Sequence, residues 1–174
     1  MALSTCNTKP LTNLRYIGDI FIIWTDTGQE LIQFHETFQD FHPTINLKIS
    51  YSPTHIHFLD TTIHIRENTI QTNIYQKPKD KPSYLMCDGF HPDHTKHSII
   101  YSQALQYDHI CSDIAERNHH LKELKVDFIN RGYNPMIVDQ YIHAATRIPR
   151  SHLLQYKQKS EINRVPLVSH TIHK

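Results

Sequence analysis

The sequence predicts an α+β chain in two parts: a hairpin, a helix and antiparallel strands, followed by an all-helical region. Three observations predict it. Residues 14–25 (LRYIGDIFIIWT) are a β-rich apolar run broken only by Gly18 and Asp19. Residues 46–51, 56–66 and 69–75 alternate apolar and polar positions with period two. After a loop holding Pro78, Pro82 and Gly89, the apolar period becomes helical.

The elements follow in order. Gly18-Asp19 suits a turn, so residues 14–25 read as strand, turn and strand. Thr27 and Glu30 have capping-box spacing, and Leu31, Phe34, Phe38 and Phe41 then form one helical stripe, which Pro43 stops. Trp24 and these phenylalanines are expected in a core. Leu59, Thr61, Ile63 and Ile65 are expected on one face of a strand over 56–66, with Glu67-Asn68 as the tight turn before the next strand. In the second part a helix is expected over 98–111. Asp113 and Glu116 sit at capping-box spacing before Ile114, Leu121, Leu124 and Phe128, and Gly132 supplies the stop. Pro135 opens another helix that runs to Pro149, and a last helix is expected over 151–160.

Composition narrows the function classes. Of 174 residues, 39% are hydrophobic and 20% charged, enough for one domain or two small ones. No run approaches a membrane span, and the polar first ten residues lack the apolar core of a secretory signal. Three cysteines imply no disulfide framework, so an intracellular protein, nuclear or cytoplasmic, is expected. The net charge of +1 is unevenly spread. Five basic and seven acidic side chains give residues 1–78 a charge of −2, and thirteen basic and ten acidic give residues 79–174 a charge of +3. A polyanion partner therefore suits the C-terminal part better, although a solvated basic tail is the plainer account of the charge.

Two constellations carry chemistry. In RYIGDIF (15–21) an aromatic precedes an acidic residue at a hairpin tip. Template-directed polymerases use two carboxylates at such a tip, with a third nearby, to hold two divalent ions about 3.5–4 Å apart for phosphoryl transfer. Here Asp19 stands alone beside Gly18, and Asp60 on a later strand reads as structural. The other constellation is histidine, present fifteen times. His91, His94 and His97 lie near Cys87 and Asp93, with Cys111, His119 and His120 downstream. Zinc ligation is disfavoured, because no Cys-x-x-Cys pair exists and three histidines spaced by three drift around a helix. A helix-start turn with locally satisfied side chains is the simpler account of His91 and His94. No Gly-rich phosphate loop, nucleophile elbow or paired catalytic acids are present.

Read as a whole, the chain resembles the Penelope-like retroelement reverse transcriptases. RYIGDIFIIW (15–24), FLDTT (58–62), TNIYQKPKD (72–80), HPDHTK (91–96) with SIIYSQ (98–103), ICSD (110–113), FINRGY (128–133) and RVPLV (164–168) follow in that family's order. The resemblance implies a partial polymerase palm over 1–78. It implies a helical thumb-like or helix-turn-helix region over 79–160 and a basic connector tail over 161–174. The departures are specific. Gly18 replaces an aspartate, Gln76 an arginine and Ile100 a proline, and residues 106–109 (QYDH) replace an arginine-rich turn.

Only 17 residues precede Gly18, too few for the upstream palm strand with its metal-binding aspartate. The family would use Mg²⁺, and one carboxylate, Asp19, is too few to position two such ions. The expectation is therefore a truncated, degenerate reverse-transcriptase fragment, not an enzyme and without a cofactor. Its remaining role would be weak binding of RNA or DNA through Lys77, Lys79, Lys81, Lys96, Arg147 and Arg150, with a longer polymerase chain as a further partner. A palm lacking upstream strands is also expected to leave an apolar sheet face open. The alternative is a small helix-turn-helix nucleic-acid-binding module with exposed Arg, Lys, Asn or Gln on a groove-reading helix. The loss of basic character over 106–109 weighs against it. A His-rich zinc-binding protein is the third reading.

Overall fold

The computed structural model describes residues 10–40, 44, 46–77 and 83–155. The chain divides into two compact units, Met1–Lys81 and Pro82–Lys174. The first is α+β and the second is helical.

The first unit begins with strands β1 (Thr12–Tyr16) and β2 (Asp19–Ile23) in an antiparallel hairpin. Tyr16 pairs with Asp19, so the turn is Ile17-Gly18, one residue earlier than the expected Gly18-Asp19. Ile17 takes a φ of 51°, a left-handed conformation that costs a non-glycine residue about 1–2 kcal/mol. Helix α1 (Gly28–Gln39) opens with the expected capping box: Glu30 N–H donates to Thr27 Oγ1 at 3.4 Å, and Thr27 N–H donates to Glu30 Oε2 at 3.0 Å. These hydrogen bonds from Thr27, side chain first, hold the Glu30 carboxyl below its ordinary range. Leu31 and Phe34 are buried, and the Phe34 ring lies 5.2 Å from Trp24 and 5.6 Å from Phe38. Phe41 and Pro43 lie outside the described residues.

The expected strand over 46–51 does not form. The Leu47 carbonyl is taken by α1 side chains instead: Gln39 Nε2 donates to it at 2.6 Å, and His35 Nε2 lies 3.0 Å away. The expected single strand over 56–66 is two. Strands β3 (His55–Phe58) and β4 (Thr61–Arg66) fold back at Leu59-Asp60, where Phe58 pairs with Thr61 and Leu59 takes a φ of 54°. Leu59 is therefore a turn residue and not part of the strand face. Strand β5 (Thr69–Ile74) completes a β3-β4-β5 sheet. Glu67 and Asn68 connect β4 to β5 with φ of 49° and 59°, the sign a type I′ hairpin turn requires.

The register sorts the sheet into two faces. Ile56, Ile63, Ile65 and Ile70 share one, and His55, His57, Thr62, His64, Gln71 and Asn73 share the other. The apolar face is only partly covered. Together with Phe34, Phe38 and Leu47 it lines a cleft of about 920 Å³, and Ile65 and Ile70 stay more than half exposed.

The second unit holds α2 (Asp93–Ile110), α3 (Ile114–Ile129), α4 (Pro135–Thr146) and the short α5 (Arg150–Leu153). Helix α2 starts five residues before the expected 98, with Pro92 as its N-cap and the Pro92 carbonyl accepting from Thr95 and Lys96 N–H. The core is Ile100, Ala104 and Tyr107 from α2, Leu121, Leu124 and Phe128 from α3, and Val138 and Ala145 from α4. Tyr84 stacks on Phe128 at 4.6 Å, and Tyr133 meets its edge at 5.0 Å. Burial first, and then the Tyr107 contact, raises the Tyr84 phenol well above its usual range. Tyr133 is raised by burial as well. Helix α5 ends at Leu153, and most of the helix expected over 151–160 lies outside the described residues, as does the tail over 161–174.

Gly132 ends α3 with a φ of 86°. A methyl group there would have room, its closest neighbour being Cys87 Cβ at 3.6 Å, so backbone strain alone sets the cost. Gly132→Ala is expected to lower stability by about 1–2 kcal/mol, read as a lower melting temperature with the same circular dichroism spectrum.

Candidate nucleic-acid interface

The second unit presents its polar chemistry on α4, and local sequence explains how. Asp113 caps α3 by accepting from Glu116 N–H at 2.9 Å. Residues 130–134 then turn the chain, with Gly132 in the left-handed region, and Asn134 caps α4 by accepting from Met136 N–H at 2.8 Å. Pro135 sits at the first helical position, where its missing N–H costs nothing. Two capped helices joined by a short glycine-containing turn make a helix-turn-helix.

On α4, Val138 and Ala145 are fully buried against α2 and α3. At 100° per residue, Met136, Gln140, His143 and Arg147 fall within one narrow stripe on the opposite side. All four are exposed. Asp139 flanks the stripe, and Lys125 Nζ of α3 donates to its Oδ2 at 2.7 Å, which offsets the acid and ties α3 to α4. The stripe thus offers an amide, an imidazole, a guanidinium and a thioether on one exposed side of α4.

Residues 83–143 match the animal helix-turn-helix domain. The match covers α2, α3 and most of α4. No curated protein matches the chain, and no solved structure does.

The expected phosphate contacts are distributed unevenly. Arg147 is exposed at the end of the α4 stripe. Arg150 opens α5 and its Nε donates to the His109 carbonyl at 3.1 Å. Lys77 is exposed in the first unit, and Lys79 and Lys81 lie outside the described residues. Lys96 requires correction. Its side chain is 8% exposed, and its ammonium donates to the Cys87 carbonyl at 2.6 Å and pairs with Asp93 at 3.4 Å. A lysine whose head is held by backbone inside a helix-start turn is a structural tie, not a surface contact.

Residues 106–109 also read differently in the fold. Tyr107 and Asp108 are buried on the inner face of α2, and Arg117 Nη1 of α3 pairs with Asp108 Oδ1 at 2.5 Å. The absence of arginines there reflects core packing at these two positions and carries no weight against a nucleic-acid surface elsewhere. Gln140 and His143 are absent from the expected contacts because the apolar period of 135–149 marks only the buried side of α4. The complementary stripe was the available signal. Ile100 is fully buried in the middle of α2.

In the first unit, Asp19 opens β2 on the exposed side of the hairpin, with Gly18 in the turn. Asp19, Asp60, Tyr16, His57, Tyr75 and Lys77 line one recess. The fold therefore brings together two carboxylates that are far apart in sequence. They do not fit a two-Mg²⁺ centre: the hairpin tip supplies one acid, and the Lys77 ammonium shares the recess. Among the described residues no three His, Cys, Asp or Glu side chains are grouped to hold a metal ion. His91 and His94 are exposed, while His97 stacks on Tyr141 at 5.0 Å. Among the described residues no helix is long and apolar enough to cross a membrane.

Proposed function

We propose that this protein binds nucleic acid through its helix-turn-helix domain, with α4 as the groove-reading helix. The observation that carries the reading is the exposed stripe of Gln140, His143 and Arg147 on α4, the last helix reached by the match over residues 83–143, with Arg147 just beyond it at the C-cap. Gln and Arg side chains pair bidentately with adenine and guanine edges in a major groove. Residues 83–143 contain five basic and eight acidic side chains, a charge of −3, so non-specific attraction to phosphates is weak there. Three of those acids are already paired, Asp93 with Lys96, Asp108 with Arg117 and Asp139 with Lys125. Duplex binding should therefore show a shallow salt slope, about −2 to −3, for two or three phosphate contacts. The triple variant Gln140→Ala/His143→Ala/Arg147→Ala is expected to weaken duplex binding at least about 30-fold by fluorescence anisotropy, with the melting curve unchanged. Equal affinity of variant and parent, or no binding to duplex or single strands at low salt, would overturn the reading.

A second reading concerns the first unit, and the hairpin favours it. The Arg15–Trp24 block forms a strand, turn and strand with its one acid beside the turn. We infer a degenerate reverse-transcriptase palm that does not join nucleotides, since a single tip carboxylate cannot hold two Mg²⁺ ions. Primer extension with Mg²⁺ or Mn²⁺ is expected to give no template-dependent product above that of an Asp19→Ala control. Incorporation above that control would refute it.

A further inference from the structure

The helical unit ends its helices on histidine. Helices α2 and α4 run the same way. His97, near the start of α2, stacks on Tyr141 of α4 at 5.0 Å, and past the other end of α4 Arg150 Nε donates to the His109 carbonyl at 3.1 Å. That bond ties the last turn of α2 to the first residue of α5, three residues after Arg147 closes α4. Each of the three helices has a histidine in its last turn: His109 on α2, His143 on α4 and His152 on α5. All three are exposed, as is Arg147. Residues 140–155 hold no Asp or Glu.

The charge of this end depends on protons. The last carbonyls of a helix carry partial negative charge, which repels phosphate. Imidazole titrates at about pH 6.5, and its protonated form reverses that sign. The acids nearby are engaged elsewhere. Asp108, beside His109, is buried and paired with Arg117. Asp113, past the α2 C-cap, accepts from the N–H of Glu116 in the first turn of α3. Asp139, one turn before His143, is paired with Lys125. Arg147 and Arg150 stay charged throughout. Protonating the three histidines therefore takes the cations of this end from two to five.

We propose that the joined ends of α2, α4 and α5 form an anchor for the phosphate backbone, which His109, His143 and His152 contact in their protonated form, so that acid tightens nucleic-acid binding. The proposal rests on the reading of α4 as the groove-reading helix, because phosphates flank any groove that α4 enters. Contacts of this kind carry no sequence information and fix the register of the helix that reads the bases. Each protonated histidine that meets a phosphate steepens the salt slope by about 0.9.

The test is the anisotropy of labelled duplex DNA with full-length protein over a salt series, at about pH 8 and about pH 5.5. The slope of the parent is expected to steepen by about 2–3 between the two, and that of His109→Gln/His152→Gln by about 1 or less. His91→Gln/His94→Gln, at the opposite end of α2, is expected to follow the parent. A parent slope that does not change with pH, or equal blunting by the two double variants, would overturn the proposal and leave the α4 reading standing. No duplex binding at either pH would overturn both. Should His109→Gln/His152→Gln fail to fold, the imidazole proton resonances of the parent in acid decide. Duplex is expected to shift those of His109, His143 and His152, and shifts confined to His91, His94 and His119 would overturn the anchor.

Discussion

Replacing Phe128 by alanine is expected to destabilise the helical unit by about 3–5 kcal/mol, enough to leave it largely unfolded at 37 °C. Phe128 is fully buried at the end of α3, and among the described residues it is the largest side chain with no exposed surface. Its ring lies between Tyr84 at 4.6 Å and Tyr133 at 5.0 Å. Truncation leaves a cavity that stiff helices cannot close, because Arg131 holds the Tyr84 carbonyl at 3.2 Å and fixes the ring on that side. Far-UV circular dichroism during a thermal melt checks this. A Phe128→Leu variant, which keeps most of the volume, should lose much less. Equal stability of parent and alanine variant would mean that the three-helix core is not arranged as described.

Asp108→Ala is expected to cost about 2–3 kcal/mol by the same measurement. The Asp108 carboxylate is 1% exposed, and Arg117, 25% exposed at its side chain, is its ion-pair partner across α2 and α3. Removing the acid strands the guanidinium in a partly desolvated site, and that stranding dominates the loss. Replacing both residues together should therefore cost less than the sum of the single changes. Additive losses would show that the pair does not couple the two helices. Neither residue belongs to the exposed stripe of α4, so in the proposed function the variant should lose binding only as it loses fold.

Much of the architecture was readable in advance, and the readable parts share a cause. The capping box of Thr27 and Glu30, the Asp113 cap, the Pro135 start, the Gly132 stop and the Glu67-Asn68 turn depend on residues within a few positions of one another. Local backbone chemistry decides such features. The strand expected over 46–51 failed because period-two alternation gives a chain the pattern of a strand without supplying a partner. In the fold, Gln39 and His35 of α1 claim the Leu47 carbonyl. The turn at Leu59-Asp60 was missed for a related reason: Leu59 has no turn chemistry of its own, and pairing of β3 with β4 forces it into the left-handed region.

The proposed interface shows the same division. Lys96 and Arg147 are both cations near helix ends in the sequence, yet one is turned inward to the Cys87 carbonyl and the other stands on the outer stripe of α4. Asp19 and Asp60 looked like isolated acids and share a recess. His91, His94 and His97 stand out by their spacing, whereas His109 and His152 are brought to one end of the unit by the bond from Arg150 to the His109 carbonyl.

By itself the sequence determined the first hairpin, the starts of α1, α3 and α4, the Gly132 stop, the change from sheet to helix between the two units, and the presence of one acid at the hairpin tip. These depend on residue type and short-range spacing, where the backbone has few choices. Only the tertiary structure decided which charges face solvent, which acid is neutralised by Arg117, and which polar stripe of α4 lies opposite Val138 and Ala145. Those outcomes depend on which apolar faces find each other, because burying one side of a helix selects the side left for a partner.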